Sequence, residues 1–193
     1  DNEYIMSPKD LKTIHFMNKM LDAGVRVFKI EGRADVEKLT SAPIVGDIPL
    51  TYEKQGAIAV FENQNNLMSE TFRNVRTNLQ FMLGNGKKVI LVTSTVSGEG
   101  KSFISGNLAI SLSLLGKKVV IVGLDIRKPG LNKVFNIPKK EHGITQYLTN
   151  TTANLMDFVQ PSDINKNLFI LPGGTVPPNP TELLARGGLE KAI

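Results

Sequence analysis

Apolar and polar positions change register several times along this chain, and each change marks an element. Ser7-Pro8-Lys9-Asp10 has the form of a helix start, and Leu11, Ile14, Met17 and Leu21 then recur at helical spacing up to Gly24. That stripe is read as a packing face rather than a membrane-surface one. Val25-Arg26-Val27-Phe28-Lys29-Ile30 alternates as a strand does. A short helix is expected over Ala34–Leu39, a proline-bounded strand over Pro43–Pro49, a loop at Lys54–Gly56 and a short strand over Ala57–Phe61. A longer helix follows from Leu67 to Leu83, stopped by Gly84-Asn85-Gly86, with Met68, Phe72, Val75, Leu79 and Met82 on one stripe.

Strand and helix patterns then alternate. Val89–Val92 is an apolar run, Phe103–Leu115 is helix-periodic, and Val119–Val122 is a second apolar run. Short helices are expected at Ile144–Thr149 and Leu155–Val159, and a third strand at Leu168–Leu171. Gly173-Gly174 and Val176-Pro177-Pro178-Asn179-Pro180 form a stiff loop, after which Thr181 is read as the cap of a helix through Glu182, Leu183 and Leu184. This order predicts an α/β sandwich, a mostly parallel sheet with helices on both faces. Three parts are expected: an N-terminal segment over 1–30 with an amphipathic helix, a linker over 31–66 and the main domain over 67–193.

Composition narrows the chemistry. The chain has 193 residues, 41% of them hydrophobic and 21% charged, which suits one globular domain with an attached segment. No cysteine occurs, so disulfides and thiolate metal sites are excluded and a reducing compartment is the natural setting. His15 and His142 are too few and too far apart for a zinc site. The net charge of +5 is spread over pairs such as Lys87-Lys88 and Lys117-Lys118, without aromatic interleaving, so no nucleic-acid partner is expected. No run of about 18 apolar residues exists, so the chain is expected to be soluble.

The strongest chemical signal lies between the first apolar run and the helix after it. Ser97-Gly98-Glu99-Gly100-Lys101-Ser102 puts a glycine loop, a lysine and a hydroxyl at a helix start. A bound phosphate requires this: bare backbone amides, an ammonium group and the positive end of a helix. Lys101 would reach the β- and γ-phosphates, and Ser102 would hold Mg²⁺. Thr95 stands where the full pattern has glycine, and a lysine-bearing turn is the plainer alternative. Asp125 follows the strand Val119–Val122, a place where ligands bind in open α/β sheets; there it ligates Mg²⁺ or simply caps a turn. Glu70, Arg73 and Arg76 lie three apart on the long helix, either as an exposed ion pair or as a face for a partner subunit.

Taken together, the motifs resemble the cytoplasmic kinase domain of bacterial tyrosine kinases (BY-kinases) of capsule and exopolysaccharide assembly, over roughly residues 31 to 193. The P-loop is one shared motif. Gly123-Leu124-Asp125-Ile126-Arg127-Lys128-Pro129 is similar to the second, A-prime motif. Glu70-x-x-Arg73-x-x-Arg76 is similar to the family's oligomerisation motif, and Pro177–Leu184 to its loop into a helix. Asp35–Leu50 resembles the linker between membrane anchor and kinase core.

The resemblance implies a P-loop tyrosine autokinase using ATP and Mg²⁺. Ser97, Gly98, Glu99, Gly100, Lys101, Ser102 and Phe103 would bind the nucleotide, Ser102 and Asp125 the metal, and Lys101, Asp125 and Arg127 would serve catalysis. It also implies a ring-like homo-oligomer through Glu70, Arg73 and Arg76, with a neighbouring subunit's tyrosine-rich tail as substrate. A membrane-spanning polysaccharide co-polymerase part would be a further partner, placing the parent protein at the cytoplasmic face of the inner membrane. The family carries two aspartates in the A-prime motif, and Gly123 replaces the first. No apolar strand ending in aspartate matches its Walker B motif, because Leu168–Leu171 runs into Pro-Gly-Gly. The expectation is therefore a chain truncated before Walker B and hardly active alone. Two alternatives are a nucleotide-binding, non-catalytic regulator of polysaccharide export and a partitioning-type ATPase. The latter typically has a signature lysine early in the loop, which Thr93–Val96 lacks.

Overall fold

The computed structural model describes residues 43–49, 57–83, 88–94, 97–138, 142–150, 152–186 and 188–192, and the backbone of 26–29. The helices expected at 11–21 and 34–39 lie outside the described residues. The elements run β1 (Arg26–Lys29), α1 (Leu67–Leu83), β2 (Ile90–Thr93), α2 (Lys101–Ser113), β3 (Val119–Val122), α3 (Leu131–Val134) and α4 (Ile144–Thr149). A 3₁₀ turn over Leu155–Phe158, β4 (Gln160–Pro161), β5 (Leu168–Leu171), α5 (Pro180–Ala185) and α6 (Gly188–Ala192) follow.

Among the described residues the strands form two sheets. β1 pairs with β2 in parallel, Arg26 opposite Ile90 and Lys29 opposite Thr93. β3 pairs in parallel with β5, and β4 adds antiparallel to the other side of β5. α2 packs against β2, β3 and β5 alike and so joins the two sheets. Such a helix has no solvent face. Ile104, Asn107, Leu108, Ala109, Ile110 and Ser111 are all buried, whereas an ordinary surface helix buries one stripe.

The period-two alternation of the strands divides the core. Ile121, Leu168 and Ile170 pack on the α1–α2 side with Phe72, Leu79 and Leu108. Leu171 and Val122 pack on the opposite side with Leu148 of α4, Leu183 of α5 and Leu189 of α6. Helices thus cover both faces, although Val120 remains 52% exposed.

α1 begins where the asparagine run ends: Asn66 Oδ1 accepts from the Ser69 amide at 2.8 Å, an N-cap bond. Its stripe buries Met68, Phe72, Val75 and Leu79, and Phe72 meets Phe103 of α2 edge to face at 6.0 Å. Met82, assigned to the same stripe, is instead 39% exposed, because the helix runs past the end of its partner.

Neither Pro43–Pro49 nor Ala57–Phe61 forms a strand. In the second case the reason is one buried side chain. Asn107 is fully buried on α2, and its Oδ1 accepts from the amides of Ala59 at 2.7 Å and Val60 at 3.1 Å. Its Nδ2 donates to the carbonyls of Ala57 at 3.1 Å and Phe103 at 2.8 Å. The amide of Asn107 thus does for this segment what a neighbouring strand would do, and leaves none of its own capacity unused.

Two helix boundaries differ from expectation. α2 starts at Lys101 rather than Phe103, which brings the lysine and serine into its first turn. α5 is preceded by Asn179 with Pro180 at N1, so Thr181 lies within the helix and is not its cap. The segment after Asn154 is a 3₁₀ turn, with Asn154 Oδ1 accepting from the Met156 amide at 3.1 Å. No helix among the described residues is long and apolar enough to cross a membrane.

Candidate functional site

β2, β3 and β5 run in parallel within their sheets, and the loops at their carboxyl ends carry most of the expected site residues. After β2, the described part of the glycine loop is Ser97–Gly100; Thr95 and Val96 lie outside the described residues. Gly100 takes φ 90° immediately before α2, a left-handed conformation that lets the loop turn sharply into the helix. Its carbonyl accepts the first helical bond, from Ile104 at 2.9 Å. The amides of Lys101, Ser102 and Phe103 are thereby the orphan donors of the helix start, where the helix dipole favours an anion.

The Lys101 ammonium donates to Ser94 Oγ at 2.8 Å, reaching back to the residue that follows β2. Sequence reasoning did not single out Ser94. Its place directly after the strand, seven residues before the lysine, is the signal that would have found it.

After β3 the chain turns tightly. The Leu124 amide donates to Val122 O at 3.2 Å and the Ile126 amide to Leu124 O at 2.9 Å, and buried Ile126 anchors the turn. These bonds leave Asp125 and Arg127 exposed. Asp125 Oδ1 accepts from the Lys128 amide at 3.0 Å, so this carboxylate does cap its own turn, with its second oxygen still available. Arg127 Nη2 donates to Thr181 Oγ1 at 3.0 Å, joining the A-prime turn to α5 and to the Pro177–Leu184 loop.

Two glycines set how closely these loops approach. A Cβ at Gly130 would lie 2.6 Å from Ser102 Oγ, so the end of the A-prime loop rests directly on the P-loop serine. A Cβ at Gly123 would lie 2.9 Å from the Gly173 amide nitrogen and 3.3 Å from Leu131 Cδ1. The backbone after β5 therefore fills the space where a first A-prime carboxylate would start.

The donors available for a metal are hydroxyl and carboxylate oxygens, the hard ligands that suit Mg²⁺, which keeps several waters and takes phosphate oxygens besides. Among the described residues no group of three or more His, Cys, Asp or Glu gathers as a metal cage. The arrangement fits an ion shared with a nucleotide rather than one held by protein alone.

Glu70, Arg73 and Arg76 lie on α1 and face two ways. Glu70 and Arg73 form an ion pair on the surface, with side chains 47% and 44% exposed. Arg76 turns to α2 and donates to Ser111 O at 2.7 Å. Burial, and then the neighbouring charge of Arg73, lower the Arg76 pKa from its ordinary value.

A glycine loop between a parallel strand and a helix, with Lys101 and Ser102 in the first helical turn, defines a P-loop α/β domain. Nucleotide and metal use go with this fold in general. Residues 85–166 match the family model described as NUBPL iron-transfer P-loop NTPase. A tyrosine-protein kinase CpsD from Streptococcus agalactiae is 37% identical over 124 residues, which are 64% of this chain and 53% of the kinase. Tyrosine-protein kinase YwqD from Bacillus subtilis is 36% identical over 133 residues, 68% of this chain and 54% of that protein. Among solved structures, the chimerical protein CapA2B2 superposes with a TM-score of 0.71 at 33% identity, covering 81% of this chain and 66% of that one. The BceF tyrosine kinase domain superposes with a TM-score of 0.69 at 28% identity, covering 84% and 69%. The P-loop part of this chain is thus similar to bacterial tyrosine-protein kinases in sequence and to their kinase domains in fold. The chain spans about half the length of the two kinases, 53% and 54%.

The N-terminal stretch has a different likeness. Residues 1–80 match the model of peptidase family U32. A collagenase from Porphyromonas gingivalis is 88% identical over 34 residues, which are 18% of this chain and 9% of that enzyme.

Proposed function

We propose that the chain carries the nucleotide-binding core of an ATP-dependent protein-tyrosine autokinase of capsule or exopolysaccharide assembly. The observation that carries this reading is the contact of the A-prime loop with the P-loop at Gly130 and Ser102, with Asp125 five residues before it. The amides of Lys101, Ser102 and Phe103 would bind the ATP phosphates, with the rest of Ser97–Phe103 around them. Lys101 would exchange Ser94 Oγ for the β- and γ-phosphates and neutralise charge as the phosphoryl group transfers. Ser102 and the free oxygen of Asp125 would hold Mg²⁺, which when bound supplies charge neutralisation across the phosphates.

The phosphate acceptor is a tyrosine hydroxyl. Its oxygen bonds to the γ-phosphorus, the bond to the β–γ bridging oxygen breaks, and ADP leaves. Its proton passes to Asp125 or to water, since Gly123 offers no carboxylate. Arg127 positions the Asp125 turn through Thr181. The exposed Glu70 and Arg73 would contact a neighbouring subunit in a homo-oligomeric ring, whose tyrosine-rich tail would supply the substrate. A membrane-spanning polysaccharide co-polymerase part would hold the assembly at the cytoplasmic face of the inner membrane.

The packing of Gly123 against Gly173 favours a second reading, a domain that binds nucleotide and regulates export without transferring phosphate. Incubation of the intact protein with Mg²⁺-ATP, followed by phosphotyrosine detection, separates the two. Signal lost on Lys101→Met supports the kinase. ATP binding without phosphotyrosine replaces it with the regulator.

A further inference from the structure

We infer that Arg26–Lys29 completes the sheet beside the P-loop strand, so that nucleotide binding by this chain depends on its N-terminal, U32-like stretch. The inference rests on the P-loop reading for its nucleotide part and on strand pairing for the rest. β2 is four residues long and only partly buried along its whole length. Among the described residues its one strand partner is β1, in register from Arg26 with Ile90 to Lys29 with Thr93. The two strands come from regions with different likenesses: β1 lies within the stretch matched to peptidase family U32, and β2 within the stretch matched to the P-loop model. One sheet made of both means that the two regions do not fold as separate modules.

The consequence reaches the phosphate site by a short path. Thr93 ends β2, Ser94 follows it, and Ser94 Oγ receives the Lys101 ammonium. A two-stranded sheet is marginal without further support, and without β1 the packing against α2 would be the main contact of β2 among the described elements. Pairing with β1 fixes the β2 backbone through ladder hydrogen bonds and thereby fixes the point from which the glycine loop departs. Because the pairing is parallel, β1 also ends at the loop end of β2, so its last pair, Lys29 with Thr93, lies one residue from Ser94.

The absence of cysteine from the chain makes the pairing directly measurable. Val27 and Leu91 are register partners, and neighbouring strands lie about 4.8 Å apart, within disulfide reach. Val27 and Thr93 are two positions out of register, about 8 Å apart and beyond that reach. Oxidation should cross-link Val27→Cys/Leu91→Cys and leave Val27→Cys/Thr93→Cys open. Absence of a cross-link in the first pair, or equal cross-linking in both, overturns the pairing.

The functional half uses Val27→Pro and Phe28→Pro in the full chain, with ADP as the probe. Successive residues of a strand point their amides to opposite sides, so one of the two prolines removes a ladder bond to β2. That variant should speed hydrogen exchange at the Ile90–Thr93 amides and weaken ADP binding, each about fivefold. The amides of β5 serve as the control and should keep their protection. Unchanged ADP affinity in both variants overturns the dependence, even where the cross-link forms. If Val27→Cys/Leu91→Cys cross-links and a proline variant loses β2 protection, yet the unsubstituted chain binds no ADP, the strand pairing is supported and the P-loop reading is overturned.

Discussion

Arg127 and Thr181 hold together the turn after β3 and the first turn of α5, 54 residues apart in sequence, through a hydrogen bond of 3.0 Å. Under the proposed kinase reading, the guanidinium acts on the site by positioning the Asp125 turn through Thr181. Arg127→Ala and Thr181→Val should each lower phosphotyrosine formation about fivefold, the effect of one such bond. The double variant should be no worse than either single one, because both remove the same link. A thermodynamic cycle on kcat, with KM for ATP followed separately, checks this; the expected change lies in kcat.

Asn107 offers the clearest stability prediction. It satisfies two amides and two carbonyls from full burial. Asn107→Ala leaves the Ala59 and Val60 amides without an acceptor, at about 1–3 kcal/mol for each unsatisfied group. The midpoint of urea unfolding should fall accordingly, with an unchanged m-value. Asn107→Leu should be no better, since it restores volume without an acceptor.

Restoring the family's first A-prime carboxylate should not restore activity. Gly123→Asp would drive a Cβ to 2.9 Å from the Gly173 amide nitrogen. Overpacking of this kind costs about 1–3 kcal/mol. The expected outcome is a lower melting temperature and no gain in phosphotyrosine formation. Gly123→Asp combined with a deletion in the Gly173-Gly174 loop would show whether space or chemistry is limiting.

The three charged residues of α1 should separate into two classes. Glu70→Ala removes an exposed pair worth about 0.2–0.5 kcal/mol, so stability should hardly change while any oligomer weakens. Arg76→Ala removes a donor to Ser111 O between two packed helices and should destabilise the monomer first. Sedimentation and thermal unfolding of both variants, side by side, test the division.

Much of this architecture was legible because its signals are local. The α1 stripe gave the helix limits, the apolar runs gave β3 and β5, and the glycine loop with Lys101 marked the start of α2. Features that depend on distant residues were not legible. Ala57–Phe61 has the composition of a strand, but a buried asparagine 48 residues on from Ala59 takes its amides. Thr181 has the composition of a cap, but Pro180 already occupies N1 and its hydroxyl serves Arg127. The meaning of Gly123 also required the fold, since only the return of the chain after β5 brings Gly173 against it.

The parallel pairing of β1 with β2 has a consequence for biogenesis. Arg26 leaves the ribosome long before Ile90, its partner, and synthesis at 5–20 residues per second puts roughly 3–13 s between them. Through that interval the strand is a solvent-exposed template for β-pairing with any other nascent chain. The polysome, more than the finished protein, is where this chain is most exposed to misassembly.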